Sequence, residues 1–265
     1  MKILFVGDIV GRLGCDLLAK HLADLKTTYK PQLTIVNGEN AARGRGITDQ
    51  LYREFLQVGA DLVTLGNHSF DHPDTLAFID QADKLIRPAN YLPGTPGQGY
   101  RVVQVNDEKL AVVNLMGTVF LPDLANPFLC LDQILADLDP DIKSVFVDFH
   151  AEATSEKQAL AWDFTGRVSA VIGTHTHVQT NDARVLPGGL AYMSDVGMTG
   201  SIDSVLGMQK EAVINKFRTQ LPTRFNVDDN PASNQVLSAC IVDIKADGQA
   251  RSIKPIYIKE TGKQL

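Results

Sequence analysis

Apolar positions in the first third of the chain follow two alternating patterns. Short unbroken runs, KILFV (2–6), LTIV (33–36) and DLVTL (61–65), have the length of strands buried on both faces. Between the first two, Leu17, Leu18, Leu22 and Leu25 recur at helical spacing, which predicts a helix from about Leu13. A second helix is expected to begin at Thr48, whose hydroxyl can cap the first turn, and to stop near Gly59. Pro73 suits the first turn of a third. Around residue 100 the pattern changes. YRVVQV and KLAVVNL flank Asn106-Asp107-Glu108 and predict a hairpin. SVFVDF (144–149) and SAVI (169–172) are again short and apolar, with a helix between them carrying Lys157, Leu160 and Trp162. The last third predicts the strands GLAYM, LSACIVDI and SIKPIYI and a helix around Lys210–Phe217. Strand–helix alternation followed by antiparallel strands predicts an α/β sandwich, two sheets with helices outside. No repeat, low-complexity tract or linker divides it, so one domain over residues 1–265 is expected.

Composition narrows the function classes. Of the 265 residues 44% are hydrophobic and 21% charged, as in an ordinary globular chain. No apolar run reaches the ~18–20 residues that span a bilayer, and the one in MKILFVGD is too short for a signal peptide. Cys15, Cys130 and Cys240 are odd in number and far apart. That argues against a disulfide framework or a cysteine zinc site and for a reducing cytoplasm. A net charge of −6 without a Lys/Arg run speaks against a long nucleic acid as partner. A small anionic substrate held by a metal fits better.

The residues that follow the apolar runs carry the candidate chemistry. The first run leads to Asp8, the second to Glu39-Asn40, the third to Asn67-His68, VFVDF to His150, and SAVI to His175-Thr176-His177 within GTHTH. If the last strand persists, His175 and His177, two positions apart, face one target together. Each residue alone has an ordinary reading. Asp and Asn cap helices and form turns, and a lone histidine at a strand end is more often packed than ligating. Five turns all choosing Asp, Glu, Asn or His is a harder coincidence, and the carboxyl edge of an α/β sheet is where sites assemble. Three imidazoles, two carboxylates and two carboxamides without thiolate suit first-row ions such as Fe, Mn or Zn. They are too rich in nitrogen for Ca²⁺ and poor for Mg²⁺. Seven donors exceed what one ion with open positions uses. Two ions sharing a carboxylate, about 3.5–4 Å apart, are therefore expected, with one histidine of the HTH pair on each.

In this order, Gly7-Asp8, Gly38-Glu39-Asn40, Gly66-Asn67-His68, His150 and GTHTH resemble the signature of the calcineurin-like metallophosphoesterases. The longer stretches NGENAARGRGIT, VTLGNHSFD, RPANYLPGTPG, DFHAEATSEK, IGTHTHVQT and SDVGMTG are more specific. Over nearly the whole chain they resemble the bacterial YmdB-like family, 2′,3′-cyclic-nucleotide 2′-phosphodiesterases with a di-iron site. The resemblance implies a metallophosphoesterase-type β-sandwich, two mixed sheets flanked by helices, and a small cyclic nucleotide as substrate. It places one metal on Asp8, Glu39, Asn40 and His177. The second falls to Glu39 as bridge, Asn67, His150 and His175, with Fe the expected ion and Mn or Zn the alternatives. His68 becomes the general acid for breaking the bond between phosphorus and the ribose 2′ oxygen, which leaves a 3′-monophosphate. Most superfamily members carry a histidine two residues after the first aspartate, and here that position is Val10. Asn40 is expected to fill the gap, with the first metal the weaker of the two.

Other residues have two readings each. Arg43 and Arg45, in the glycine-broken RGRG loop, suit either a phosphate or solvent. Asp71 and His72 read as supports of the His68 segment or as helix-start residues, and His21 as unrelated to the site. The stretch 194–208 reads as a pocket wall, an ordinary loop, or a subunit contact, which would make the protein a homo-oligomer. A phosphomonoesterase or protein phosphatase would use the same metal pair, and a regulatory metal-binding protein the same ligands. His68, beside the ligand set, favours catalysis.

Overall fold

In β1 (Lys2–Val6) successive side chains leave opposite faces of the strand, and both faces are apolar. Leu4 and Val6 pack with Leu18 and Leu22 of α1 (Gly11–Tyr29). Ile3 and Phe5 pack instead with Val112, Phe146 and Ile172 of a second sheet, the rings of Phe5 and Phe146 meeting edge to face at 5.3 Å. The computed structural model, which describes residues 1–262, repeats this arrangement across both sheets.

The first sheet joins β1 in parallel to β2 (Leu33–Asn37), β3 (Leu62–Thr64) and β4 (Leu85–Ile86). On its other side β1 meets β12 (Gln235–Ile244) antiparallel, and β12 also pairs with β11 (Gly200–Ser201) and β13 (Ala250–Glu260). The second sheet runs β5 (Tyr100–Val105), β6 (Glu108–Met116), β7 (Ser144–His150), β8 (Ala170–Thr174), β10 (Leu190–Met193) and β9 (Arg184–Leu186). Its four central strands are parallel and its edges antiparallel. Tyr52 and Phe55 of α2 (Asp49–Val58) and Phe78 of α3 (Pro73–Phe78) cover the first sheet with α1. Leu131 and Ile134 of α4 (Pro127–Asp137) and Leu160 of α5 (Thr154–Asp163) cover the second. Each sheet is thus buried on both faces, which is why its strands read as continuous rather than alternating apolar runs. The architecture is the expected one, two mixed sheets flanked by helices.

Local signals fall where expected. The Thr48 hydroxyl accepts from the Leu51 amide, and Gly59, at φ 110°, ends α2. His72 caps α3, its Nδ1 accepting from the Asp74 amide at 3.3 Å, just before Pro73. The hairpin turn is one residue tighter than expected, since Glu108 already belongs to β6. β4, β9 and β11 have two or three residues each, too few to show a period. α4 was not expected from the sequence, although Asn126-Pro127 marks its start, Asn126 accepting from two amides there. Among the described residues no helix is long and apolar enough to cross a membrane.

Candidate metal centre

The carboxyl ends of β1, β2, β3, β7 and β8 meet at one end of the sandwich. Asp8, Glu39, Asn40 and His150 are buried there, and Asn67, His68, His175 and His177 are partly buried. Gly66 keeps room for the group: a Cβ on it would lie 2.4 Å from Glu39 Oε2 and 2.5 Å from the His150 ring.

Four lone-pair atoms converge at the centre. His150 Nε2 lies 2.8 Å from Asn67 Oδ1, 3.0 Å from His175 Nδ1 and 3.1 Å from Glu39 Oε1. A proton on Nε2 can serve one of these acceptors, whereas a cation serves them all. Glu39, His150 and His175 together offer donor atoms within 4.8 Å of one another. All four residues belong to the set expected for the second metal. For the first, two buried acceptors have no hydrogen-bond partner, Asp8 Oδ1 and Asn40 Oδ1. Asn40 Nδ2 donates to the Gly44 carbonyl at 3.1 Å, which fixes the amide with its oxygen free. Burying unpaired oxygens is costly unless something claims them. The donor set fits metal ions at both positions. Asp8 and His177 lie outside the 4.8 Å group, although His177 shares a cavity with Glu39, Asn40 and His175.

Neighbouring groups fix which ring nitrogen each histidine presents. The Thr174 hydroxyl donates to Asp148 Oδ1 at 2.7 Å, so its oxygen accepts from His150 Nδ1 at 2.9 Å and leaves Nε2 for the centre. Asp148 is held in turn by the Thr64 hydroxyl at 2.5 Å and by Asn37 Nδ2 at 3.1 Å. His175 places Nε2 3.1 Å from Glu152 and so presents Nδ1. His177 donates from Nδ1 to the Leu206 carbonyl at 3.0 Å and so presents Nε2. Such outer partners orient ligands and raise their basicity. The sequence reading missed Asp148, Thr174 and Glu152. Only the buried charge inside VFVDF marked any of them.

The strand does not run through GTHTH. β8 stops at Thr174, and His175 and His177 take φ values of 100° and 65°, which side chains other than glycine rarely adopt. The two histidines therefore reach the site from a strained turn, not from one face of a strand. A buried ion pair holds that turn. Lys157 Nζ lies 2.9 Å from Asp195 Oδ2, which also accepts from the Thr176 amide at 2.9 Å, between the two histidines.

Burial by itself would lower the pKa of His150, but the charge and hydrogen bond of Glu39, with Asp8 and Asp148, carry it up to about 9. Burial raises the Asp8 pKa, with nearby carboxylates adding to the effect. Burial, then the charge of His150, pushes His175 down to about 3. Oppositely charged groups, Glu39 and His150 above all, are thus held together where most of the centre is buried.

A cavity of about 1040 Å³ opens over the centre. His68 lies on its wall, with Nδ1 2.8 Å from Asp71 Oδ2 and Nε2 3.3 Å from Asn67 Nδ2. Its amide donates to Glu39 Oε2 at 3.0 Å. Asp71 therefore supports His68 directly, while His72 serves its helix. Arg43, Arg45, Val205, Leu206 and Met208 line the same cavity, so part of the 194–208 stretch is a pocket wall. His21 lies elsewhere, paired with Glu260 at 2.7 Å.

The chain is 51% identical over 244 residues to the 2′,3′-cyclic-nucleotide 2′-phosphodiesterase of Bacillus subtilis (strain 168), covering 92% of this chain and 91% of that protein. A crystal structure of a hypothetical protein from Thermus thermophilus superposes with a TM-score of 0.92 at 40% identity, over 98% of this chain and all of that one. A phosphatase from Mycoplasma pneumoniae gives 0.93 at 33% identity, over 99% and 94%. Residues 4–256 match the model of the YmdB-like proteins, and the chain belongs to that family.

Proposed function

We propose that this chain hydrolyses 2′,3′-cyclic nucleotides to 3′-nucleotides. The observation that carries the reading is the knot of lone pairs around His150 Nε2, set in a cavity beside the His68–Asp71 pair. The Bacillus subtilis relative, similar over nine-tenths of both chains, bears the name of that activity. Asp8, Glu39, Asn40 and His177 would hold one metal ion, and Glu39, Asn67, His150 and His175 a second, with Glu39 shared. Nitrogen and carboxylate donors without thiolate suit Fe, Mn or Zn, and the resemblance to the YmdB-like family favours iron among them. When bound, such a pair supplies Lewis-acid activation of water and neutralises charge on the phosphoryl oxygens.

The chain's own groups do the rest. Asp71 accepts a hydrogen bond from His68 Nδ1–H, which leaves Nε2–H of the protonated ring to deliver its proton to the departing ribose 2′ oxygen. Arg43 and Arg45, on the cavity wall, complement the phosphate charge. Three uncrosslinked cysteines, two of them buried, suit a reducing cytoplasm. The test is to incubate metal-loaded protein with 2′,3′-cyclic AMP and separate the products. Accumulation of 3′-AMP is expected. Formation of 2′-AMP, or no turnover of any 2′,3′-cyclic nucleotide, would contradict the proposal.

A further inference from the structure

Part of the lining of the cavity over the candidate metal centre consists of side chains that the hydrolysis does not use. α6 (Lys210–Thr219) buries only Val213 against the rest of the molecule. Phe217, one turn further along, is 80% exposed, and Phe225, in the segment after the helix, is 40% exposed. Both rings line the same cavity as His68, Glu39 and His175. Lys216 and Arg224, their immediate neighbours in sequence, line it too. A phenylalanine left in water forgoes its burial energy, so two of them on the wall of a cavity that also holds the candidate metal donors call for an occupant with a flat apolar face.

We infer that Phe217 and Phe225 form the nucleobase subsite of this enzyme. The inference rests on the cyclic-nucleotide reading and deepens it. The anionic phosphodiester belongs at the metal donors and arginines that line a cavity of about 1040 Å³. The neutral, flat base is the part of the substrate that remains, and the two phenylalanines are the flat apolar side chains lining the same cavity. Lys216 and Arg224 add cations to the same cavity lining, which suits an anionic nucleotide. A base held by stacking rather than by edge hydrogen bonds is tolerated whatever its identity. All four 2′,3′-cyclic nucleotides should therefore be substrates, purines bound more tightly through their larger face. Leu206, whose carbonyl holds His177, lines the same cavity as the two phenylalanines.

The experiment compares 2′,3′-cyclic AMP with ribose 2,3-cyclic phosphate, which carries the same reacting bond and no base. The preference, read as the ratio of kcat/KM values, should fall about 5- to 150-fold in Phe217→Ala or Phe225→Ala, the range alanine substitution gives for one stacked base. The fall should lie in KM rather than kcat, because the interaction is made equally in ground and transition states. Phe217→Trp and Phe225→Trp should restore it. Taking the ratio within one protein removes any effect of partial misfolding. An unchanged preference in both alanine variants would overturn the subsite, and with a reduced solution mass would assign the face to a second copy of the chain. A wild-type protein that cleaves neither substrate would instead overturn the cyclic-nucleotide reading beneath it.

Discussion

His150 shows how much of the site depends on groups that never meet a substrate. Its Nδ1 is fixed by Thr174, and Thr174 by Asp148, all three buried. Thr174→Val keeps the shape and removes the hydroxyl, leaving Asp148 Oδ1 and His150 Nδ1 without that partner. Loss of an outer-shell partner costs about 10–100-fold in metal affinity, which competition with a fluorescent chelator would measure. An affinity equal to that of the wild type would show that the hydroxyl does not orient the ring. His68 has a different role. His68→Ala should keep its metal and lose about 10²–10⁴-fold in kcat on a cyclic nucleotide. With bis-p-nitrophenyl phosphate, whose leaving group departs without a proton, the loss should be much smaller. Equal losses on both substrates would make His68 a positioning group. All seven proposed ligands and His68 were legible in the sequence, because each follows an apolar run that predicts a strand. Asp148, Thr174 and Glu152 were not, because their contacts cross between elements and no local spacing records them.

At the scale of elements, the strands deliver ligands only because the turns that follow them are held. The turn carrying His175 and His177 has two residues at positive φ, and Lys157 of α5 secures it through Asp195. Lys157→Met would leave a carboxylate buried and unpaired, a loss of about 3–5 kcal/mol. Thermal melting should show it as a large drop in Tm, and Asp195→Asn added to Lys157→Met should recover part of it. An unchanged melting point would mean that the pair contributes nothing. The same turn is where the sequence pattern misled. Alternation in GTHTH matches a strand, yet β8 gives way to a turn whose φ values no two-residue period encodes. Val10, which stands where most of the superfamily has a histidine, is buried beneath the 205–208 turn. A Cβ on Gly207 would lie 2.6 Å from Val10 Cγ1. That turn also carries the carbonyl that orients His177, so Val10 packs under the support of a proposed ligand.

Across the whole molecule, parallel strands of both sheets end at one edge, and charge is concentrated there in a chain whose surface is mildly acidic. The site's acid–base behaviour follows. In the metal-free protein His150 titrates near 9, so its contribution to stability is full below the ordinary imidazole range and is lost as pH rises through about 9. A cation must displace the Nε2 proton, and the raised pKa of buried Asp8 acts in the same direction. Apparent affinity for Mn²⁺ should therefore rise with pH and level off near 9, with proton release detectable by calorimetry in buffers of different ionisation enthalpy. An affinity independent of pH between about 6 and 8 would contradict the arrangement around His150.

The central proposal is that Glu39, just past the end of β2, serves two metal positions built from five strand ends. Elemental analysis of the purified wild type and of Glu39→Gln tests it most directly. Two equivalents of first-row metal per chain are expected in the wild type. In the variant both positions should be depleted together, because the carboxylate that serves each has become a neutral amide. Two full equivalents retained in Glu39→Gln would contradict the shared carboxylate, and a wild type that binds no more than one would contradict the paired centre itself.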